Sequence, residues 1–181
     1  MQYVILLRGI NVGGRNKVGV ADLTAALEAG GFTDVKTYIN SGNVVLTSLA
    51  TSAEVNNAVE KLIKDAFGFA VDVLTLTGAA YQQITAALPA NWIHGKAMGC
   101  NVMFLWADAD SPDIVDKLPA KPGIDTLIYV PGAVLWAFDG KDVNRTGISK
   151  LAGPGPSQRM TIRNCNTVRK IAALLDASAH R

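Results

Sequence analysis

An α+β fold with antiparallel sheets is what this chain predicts, and three observations carry the prediction. Val4 to Leu7 is a continuous apolar run, as in a central strand buried on both faces. Asn40-Ser41-Gly42-Asn43 lies between two β-rich runs, which marks a hairpin turn. Residues 53–67 place Val55, Ala58, Val59, Leu62, Ile63 and Ala66 at helical spacing, the apolar stripe of a surface helix.

The elements follow in order. After the first strand, Val20, Leu23, Ala26 and Leu27 recur at helical spacing over 20–30, and Gly30-Gly31 closes that helix. Asp34 to Ile39 and Val44 to Ser48 are the two hairpin strands. Thr51 or Ser52 caps the helix over 53–67, and Gly68 ends it. Ala70 to Leu76 is a further strand. The order βαββαβ is the ferredoxin-like, split βαβ arrangement. The second half echoes it incompletely as αβαββα: a helix over 78–88, a linker over 89–99, a strand Asn101 to Trp106, a short helix Pro112 to Leu118, strands Thr126 to Val130 and Val134 to Phe138, a Gly/Pro-bearing loop over 140–160, and a last helix Val168 to Ala177. Two ferredoxin-like halves are therefore expected, 1–77 and 78–181, with the helices of each on one face of its sheet.

Composition narrows the function classes. The chain has 181 residues, 49% of them apolar, enough to build a substantial core. No apolar run approaches the length of a membrane span. Tyr3 to Leu7 reads as a strand and not as the apolar core of a signal peptide. Cys100 and Cys165 are far apart and form no CxxC pair, so a disulfide framework is not expected and a reducing cytoplasm is. His94 and His180 are the only histidines, which excludes a His-rich metal site; a carboxylate-held Mg²⁺ stays open, but no tight Asp/Glu cluster points to one, so no metal is expected. The net charge of +2 hides a polarity. Residues 1–20 hold three basic and no acidic side chains, 21–140 six basic and thirteen acidic, and 141–181 eight basic and two acidic. Basic ends on an acidic body favour an anionic partner if the ends meet, and are scattered solvated charge if they do not.

Chemistry concentrates in residues 3–17, YVILLRGINVGGRNK, a strand running into a glycine-rich loop. Gly9 and Gly14 stand at P-loop spacing, but Arg15 and Asn16 replace the Lys and Ser/Thr that would meet phosphate and Mg²⁺. A P-loop also needs a parallel sheet. What remains is a loop in which Gly13 and Gly14 let backbone N–H groups approach a ligand, with Arg8, Arg15 and Lys17 as its cations and Asn11 and Asn16 as its neutral polar groups. The plainer reading is a chain reversal at Gly13-Gly14.

Three further clusters stand out. Thr161-Ile-Arg163-Asn164-Cys165-Asn166-Thr167 leads into the last helix; Thr161, Asn164 and Asn166 are each possible N-caps. A cation near a helix start opposes the dipole, so Arg163 calls for a carboxylate or a bound anion. Ser41 and Asn43 belong to the hairpin turn, where such residues are ordinary turn formers; that turn is expected at the sheet end opposite the first loop. Ser149 and Lys150 are adjacent, which argues against a nucleophile–base dyad and for polar contacts from a loop. Cys165 at a helix start is a candidate reactive thiol, although no histidine is near it in sequence. Trp92, Trp106 and Trp136 read as core or interface residues.

LLRGINVGGRN at 6–16, GFTDVKTYINSGNVV at 31–45 and TIRNCNTVRKIAALL at 161–175 closely resemble the bacterial domain-of-unknown-function family numbered 1697. The resemblance implies a cytoplasmic protein of this length with two ferredoxin-like halves and no cofactor, and it implies no activity. The family's recurrent polar residues fall on Arg8, Asn11, Gly13, Gly14, Asn16, Ser41, Gly42, Asn43, Ser149, Arg163, Asn164 and Thr167. This chain departs from the family at Cys165, where Trp is usual, and at Arg15, where Lys is usual. The first departure removes a stacking surface. The second keeps the charge and favours planar, bidentate pairing.

Three functions follow as expectations: binding of a small anionic ligand, such as a phosphorylated metabolite or nucleotide, through Arg8, Asn11, Gly13, Gly14, Arg15, Asn16, Lys17, Ser41, Asn43, Ser149, Lys150, Arg163 and Asn164; nucleic-acid binding, as second choice; and an interaction protein whose polar motifs are structural.

Overall fold

A computed structural model describes residues 1–151 and 159–179. Its strands are β1 (Gln2–Arg8), β2 (Thr33–Tyr38), β3 (Asn43–Thr47), β4 (Asp72–Thr77), β5 (Met98–Leu105), β6 (Asp125–Val130), β7 (Ala133–Asp139) and β8 (Met160–Asn164). Its helices are α1 (Val20–Ala29), α2 (Ser52–Phe67), α3 (Gly78–Ala86), α4 (Ile114–Lys117) and α5 (Cys165–Ala179), with short 3-10 turns at Gly140–Asp142 and Gly147–Leu151. The fold is α+β, with two four-stranded antiparallel sheets ordered β2-β3-β1-β4 and β6-β7-β5-β8. The chain divides into two units, Met1–Tyr81 with Ile171–Arg181, and Gln82–Lys170. No described helix is long and apolar enough to cross a membrane.

In the first unit, β1 is the apolar centre. Tyr3, Ile5 and Leu7 point to one face, where they pack with Leu23 and Leu27 of α1 and Val55, Val59 and Ile63 of α2. Val4 and Leu6 point to the other face and are also fully buried. The α2 stripe is narrower than the sequence implies: Ala58 and Ala66 are exposed, while the i, i+4 row Val55, Val59 and Ile63 is fully buried and Leu62 packs part-buried beside it. The α2 start forms the capping box its sequence offers, Thr51 Oγ1 accepting from Glu54 N while the Glu54 carboxylate accepts from Thr51 N. Gly68 ends the helix at φ 78. The other flank of α2 serves the edge strand β4: Glu60 Oε1 accepts from Val73 N at 3.3 Å, and Asn56 Oδ1 accepts from Thr75 Oγ1 at 3.0 Å.

In the second unit, β5 and β7 form the middle of the sheet, with Met103, Leu105, Val134, Trp136 and Phe138 in one core cluster. Here the structure adds a strand that the sequence reading lacks. Met160–Asn164 is β8, paired antiparallel with β5. Its alternation is masked by polar Thr161, Arg163 and Asn164, so it reads as a loop. The last helix accordingly starts at Cys165, before the expected Val168. Of the expected loop over 140–160, residues 152–158 lie outside the described residues, as does His180.

Ile5 is fully buried at the middle of β1. Replacing it by Ala is expected to lower stability by about 2–5 kcal/mol, read as a drop in the urea midpoint at unchanged slope.

Candidate functional site

The strand directions decide where polar residues meet. β3 is antiparallel to both β1 and β2, so β1 and β2 finish at the same end of the sheet. This corrects the expectation that the 40–43 turn lies opposite the first loop. Leu7 N donates to Gly42 O at 2.8 Å, and Asn11 Nδ2 donates to Asn40 O at 2.7 Å. Loop 9–19 and turn 39–42 are neighbours.

The loop holds itself in shape. Gly13 and Gly14, at φ 58 and 77, are the two central residues of a tight reversal closed by Arg15 N donating to Val12 O at 3.1 Å. Asn11 is its main staple. Its Oδ1 accepts from Val18 N at 2.9 Å, and its Nδ2 donates to Val18 O at 3.0 Å as well as to Asn40 O. Asn16 Nδ2 donates to Gly9 O at 3.2 Å, and Asn11 N to Asn16 O at 3.1 Å. Both asparagines sit at positive φ, which their short amide side chains tolerate. In the turn, buried Asn43 donates to Tyr38 O at 3.0 Å and to Ser41 Oγ at 2.8 Å. These amides close loop and turn.

The cations divide. Arg8 pairs across strands with Asp72 at 3.1 Å, an exposed bridge worth under about 1 kcal/mol. Arg15 and Lys17 are exposed and make no ion pair among the described residues. At the same end α1 begins with Gly19 as its N-cap, which offers no side-chain bond, so the first-turn N–H groups keep their positive field. Asp22 in that first turn partly offsets it.

One strained residue marks this end. Ile39 has φ 51, a left-handed conformation that costs a β-branched residue about 1–3 kcal/mol. Beside it Gly42 is required: at φ 73, a Cβ there would lie 2.6 Å from Leu7 Cβ. A pocket of about 10 Å³, room for one water, lies between Ile10, Asn11, Val18, Val20, Leu23 and Ile39. Sequence reasoning did not find Ile39, since nothing in its neighbours signals a positive φ.

The other sequence-chosen residues lie in the second unit. Arg163 is on strand β8, in register with Val102, two residues before the last helix begins. It is buried, and Nη1 donates to Thr161 Oγ1 and Ile162 O, each at 2.9 Å. Asn164 is the N-cap of α5, its Oδ1 accepting from Thr167 N at 2.9 Å. Ser149 and Lys150 are exposed in the 3-10 turn, with Ser149 Oγ donating to Thr146 O at 3.3 Å. Cys165 is not a reactive thiol: it is fully buried, and burial pushes it far up, helped by a hydrogen bond with Cys100. Trp92 and Trp136 are buried, while half-buried Trp106 lies under the Arg159 guanidinium at 5.5 Å. No group of three or more metal-ligating side chains occurs among the described residues.

Asp125, which sequence reasoning missed, organises the Ser149–Lys150 turn. Its carboxylate accepts from Trp136 Nε1 at 2.9 Å, Gly147 N at 2.9 Å, Lys121 N at 2.8 Å and from Thr146 Oγ1. Burial pushes this carboxyl up, but the four donors outweigh it and hold it below the usual range.

Two variants test these assignments. Asn11→Ala strands Val18 N–H and sheds the tie to Asn40; a loss of about 1–3 kcal/mol is expected in thermal melts. For Asp125 the folded carboxyl is the stronger acid, so its stabilisation is present above the unfolded value near about pH 4 and disappears as pH falls through the folded value. Asp125→Asn is therefore expected to be less stable at neutral pH and to have a flatter acid limb in pH-dependent melts.

No curated protein matches the chain. Among solved structures it is similar to the conserved bacterial protein SP0830 from Streptococcus pneumoniae, with 28% sequence identity, 96% of this chain and 98% of that chain covered, and a TM-score of 0.81. The family described as Protein of unknown function (DUF1697) matches residues 1–136, where β1, the glycine loop and the hairpin turn lie, and the chain belongs to that family.

Proposed function

We propose that the end of the first sheet where β1 and β2 finish binds a small anionic ligand, a phosphorylated metabolite or nucleotide. The observation that carries this reading is the placement of two cations without ion-pair partners among the described residues, Arg15 and Lys17, on a preformed Gly13-Gly14 turn. A loop already held by Asn11 and Asn16 loses little entropy when a ligand arrives. Arg8 joins by exchanging its exposed bridge to Asp72 for the ligand. Asn11, Asn16 and Asn43 support from behind; Arg15, Lys17 and the glycine N–H groups make the contact. No side chain is placed as acid, base or nucleophile, so the reading is binding without an assigned reaction.

The strand order β2-β3-β1-β4, with α1 and α2 between its strands, supports a ferredoxin-like reading of the first unit. RNA-binding sheets of that kind stack bases on exposed aromatics of the middle strands. The middle-strand aromatics here, Tyr3, Phe104, Trp136 and Phe138, are all buried, which counts against the nucleic-acid reading.

The test is a thermal-shift titration with inorganic phosphate, pyrophosphate and nucleotides. Wild type is expected to be stabilised by at least one of them, and Arg15→Ala and Lys17→Ala each to weaken binding about tenfold, or about 1.4 kcal/mol. Equal shifts in wild type and the double variant across the panel would overturn the proposal.

A further inference from the structure

Among the described residues eight large apolar side chains stand exposed, and three of them share this one sheet end: Val12 at 65%, Ile39 at 50% and Val20 at 36%. Val20 and Ile39 share one pocket, and Val12 stands in the loop held next to it. Asn11, next to Val12, bonds to the carbonyl of Asn40, next to Ile39. Val20 and Ile39 line the same small pocket, which Val18, the neighbour of Lys17, also lines.

Exposed single apolar residues are ordinary, but a cluster beside unpaired cations is a feature of binding surfaces. Ile39 adds to it. Its left-handed backbone would be relieved by Gly or Asn, yet the position carries a branched apolar residue held out toward solvent. Val20 and Ile39 line one small pocket, and Val12 belongs to the cationic loop that Asn11 ties to the turn beside it, so one ligand can meet apolar and cationic groups together.

We infer that the anion bound at the Arg15–Lys17 loop is a soluble phosphate monoester carrying a compact apolar group, with the phosphate on the loop and the apolar group lying across Val12, Val20 and Ile39. This rests on the anion reading above and extends it to a substrate class. The pocket, with room for one water, is too small to swallow a ring. The apolar group therefore covers the surface of these side chains, and a broad flat face such as an aryl group or nucleobase suits that better than a long chain. Covering them removes apolar area from water, sufficient for about a tenfold gain in affinity over phosphate alone.

Calorimetric titrations of the full chain with inorganic phosphate and phenyl phosphate test this. Wild type is expected to bind phenyl phosphate about tenfold more tightly. Ile39→Asn with Val12→Ser is expected to remove that preference and leave inorganic phosphate affinity unchanged; Asn suits the left-handed position, so folding is not at risk there. Arg15→Ala with Lys17→Ala is expected to weaken both ligands. Equal wild-type affinity for the two ligands, or a preference that survives Ile39→Asn with Val12→Ser, would overturn the inference while leaving the anion reading in place. Failure of both ligands to bind wild type would overturn the anion reading and this inference with it. Sedimentation with phosphatidate vesicles separates a lipid headgroup from a free ester: binding to vesicles without binding to phenyl phosphate would overturn the assignment to a soluble ligand.

Discussion

The pairing of β3 antiparallel to both β1 and β2 is the constraint from which the candidate site follows. It makes the two outer partners of β3 run in the same direction and end together. The loop leaving β1 and the turn leaving β2 are thereby brought side by side before any polar contact forms. Asn11 then fixes their spacing, with its amide pairing to both backbone groups of Val18 and to the carbonyl of Asn40. The apolar interior of β1 supplies the rigidity: strand residues buried on both faces give loop 9–19 a fixed base.

Charge distribution sharpens the contrast within the molecule. Arg159 makes a bidentate pair with Asp108, Arg145 pairs with Asp142, and Arg8 pairs with Asp72. Arg15 and Lys17 make no ion pair among the described residues and share one loop, so their charges add at one place. A second cleft, of about 450 Å³ between Glu60, Lys61, Lys64 and Asp72, mixes both signs of charge and so offers an anion a weaker field.

Much of the fold was legible because local signals agreed with the tertiary pattern. The apolar run of β1, the Asn-Ser-Gly-Asn turn and the Thr51–Glu54 cap each carry their own physical signature, and each element stands where that signature puts it. β8 was not legible. Arg163 and Asn164 hide its period, and only its pairing with β5 makes it a strand. The composition of loop 9–19 pointed to its residues, but not to their division of labour: an asparagine that closes a loop and one that contacts a ligand look alike in sequence. The shared end of loop and turn follows from strand direction, which the element order already contains. Ile39 and Asp125 carry no local signal at all. One depends on a backbone angle and the other on donors up to 22 residues away.

We propose that ligand arrives at the backbone of the Gly13-Gly14 turn, with turn 39–42 beside it. Amide chemical-shift mapping of the isotope-labelled chain during a titration with phenyl phosphate tests it most directly. Saturable shifts concentrated at Val12 to Lys17 and at Ile39 to Ser41 are expected, with little change at Glu60 to Asp72. Shifts centred on the Glu60–Asp72 cleft, or none at Gly13 and Gly14 at saturating ligand, would contradict it.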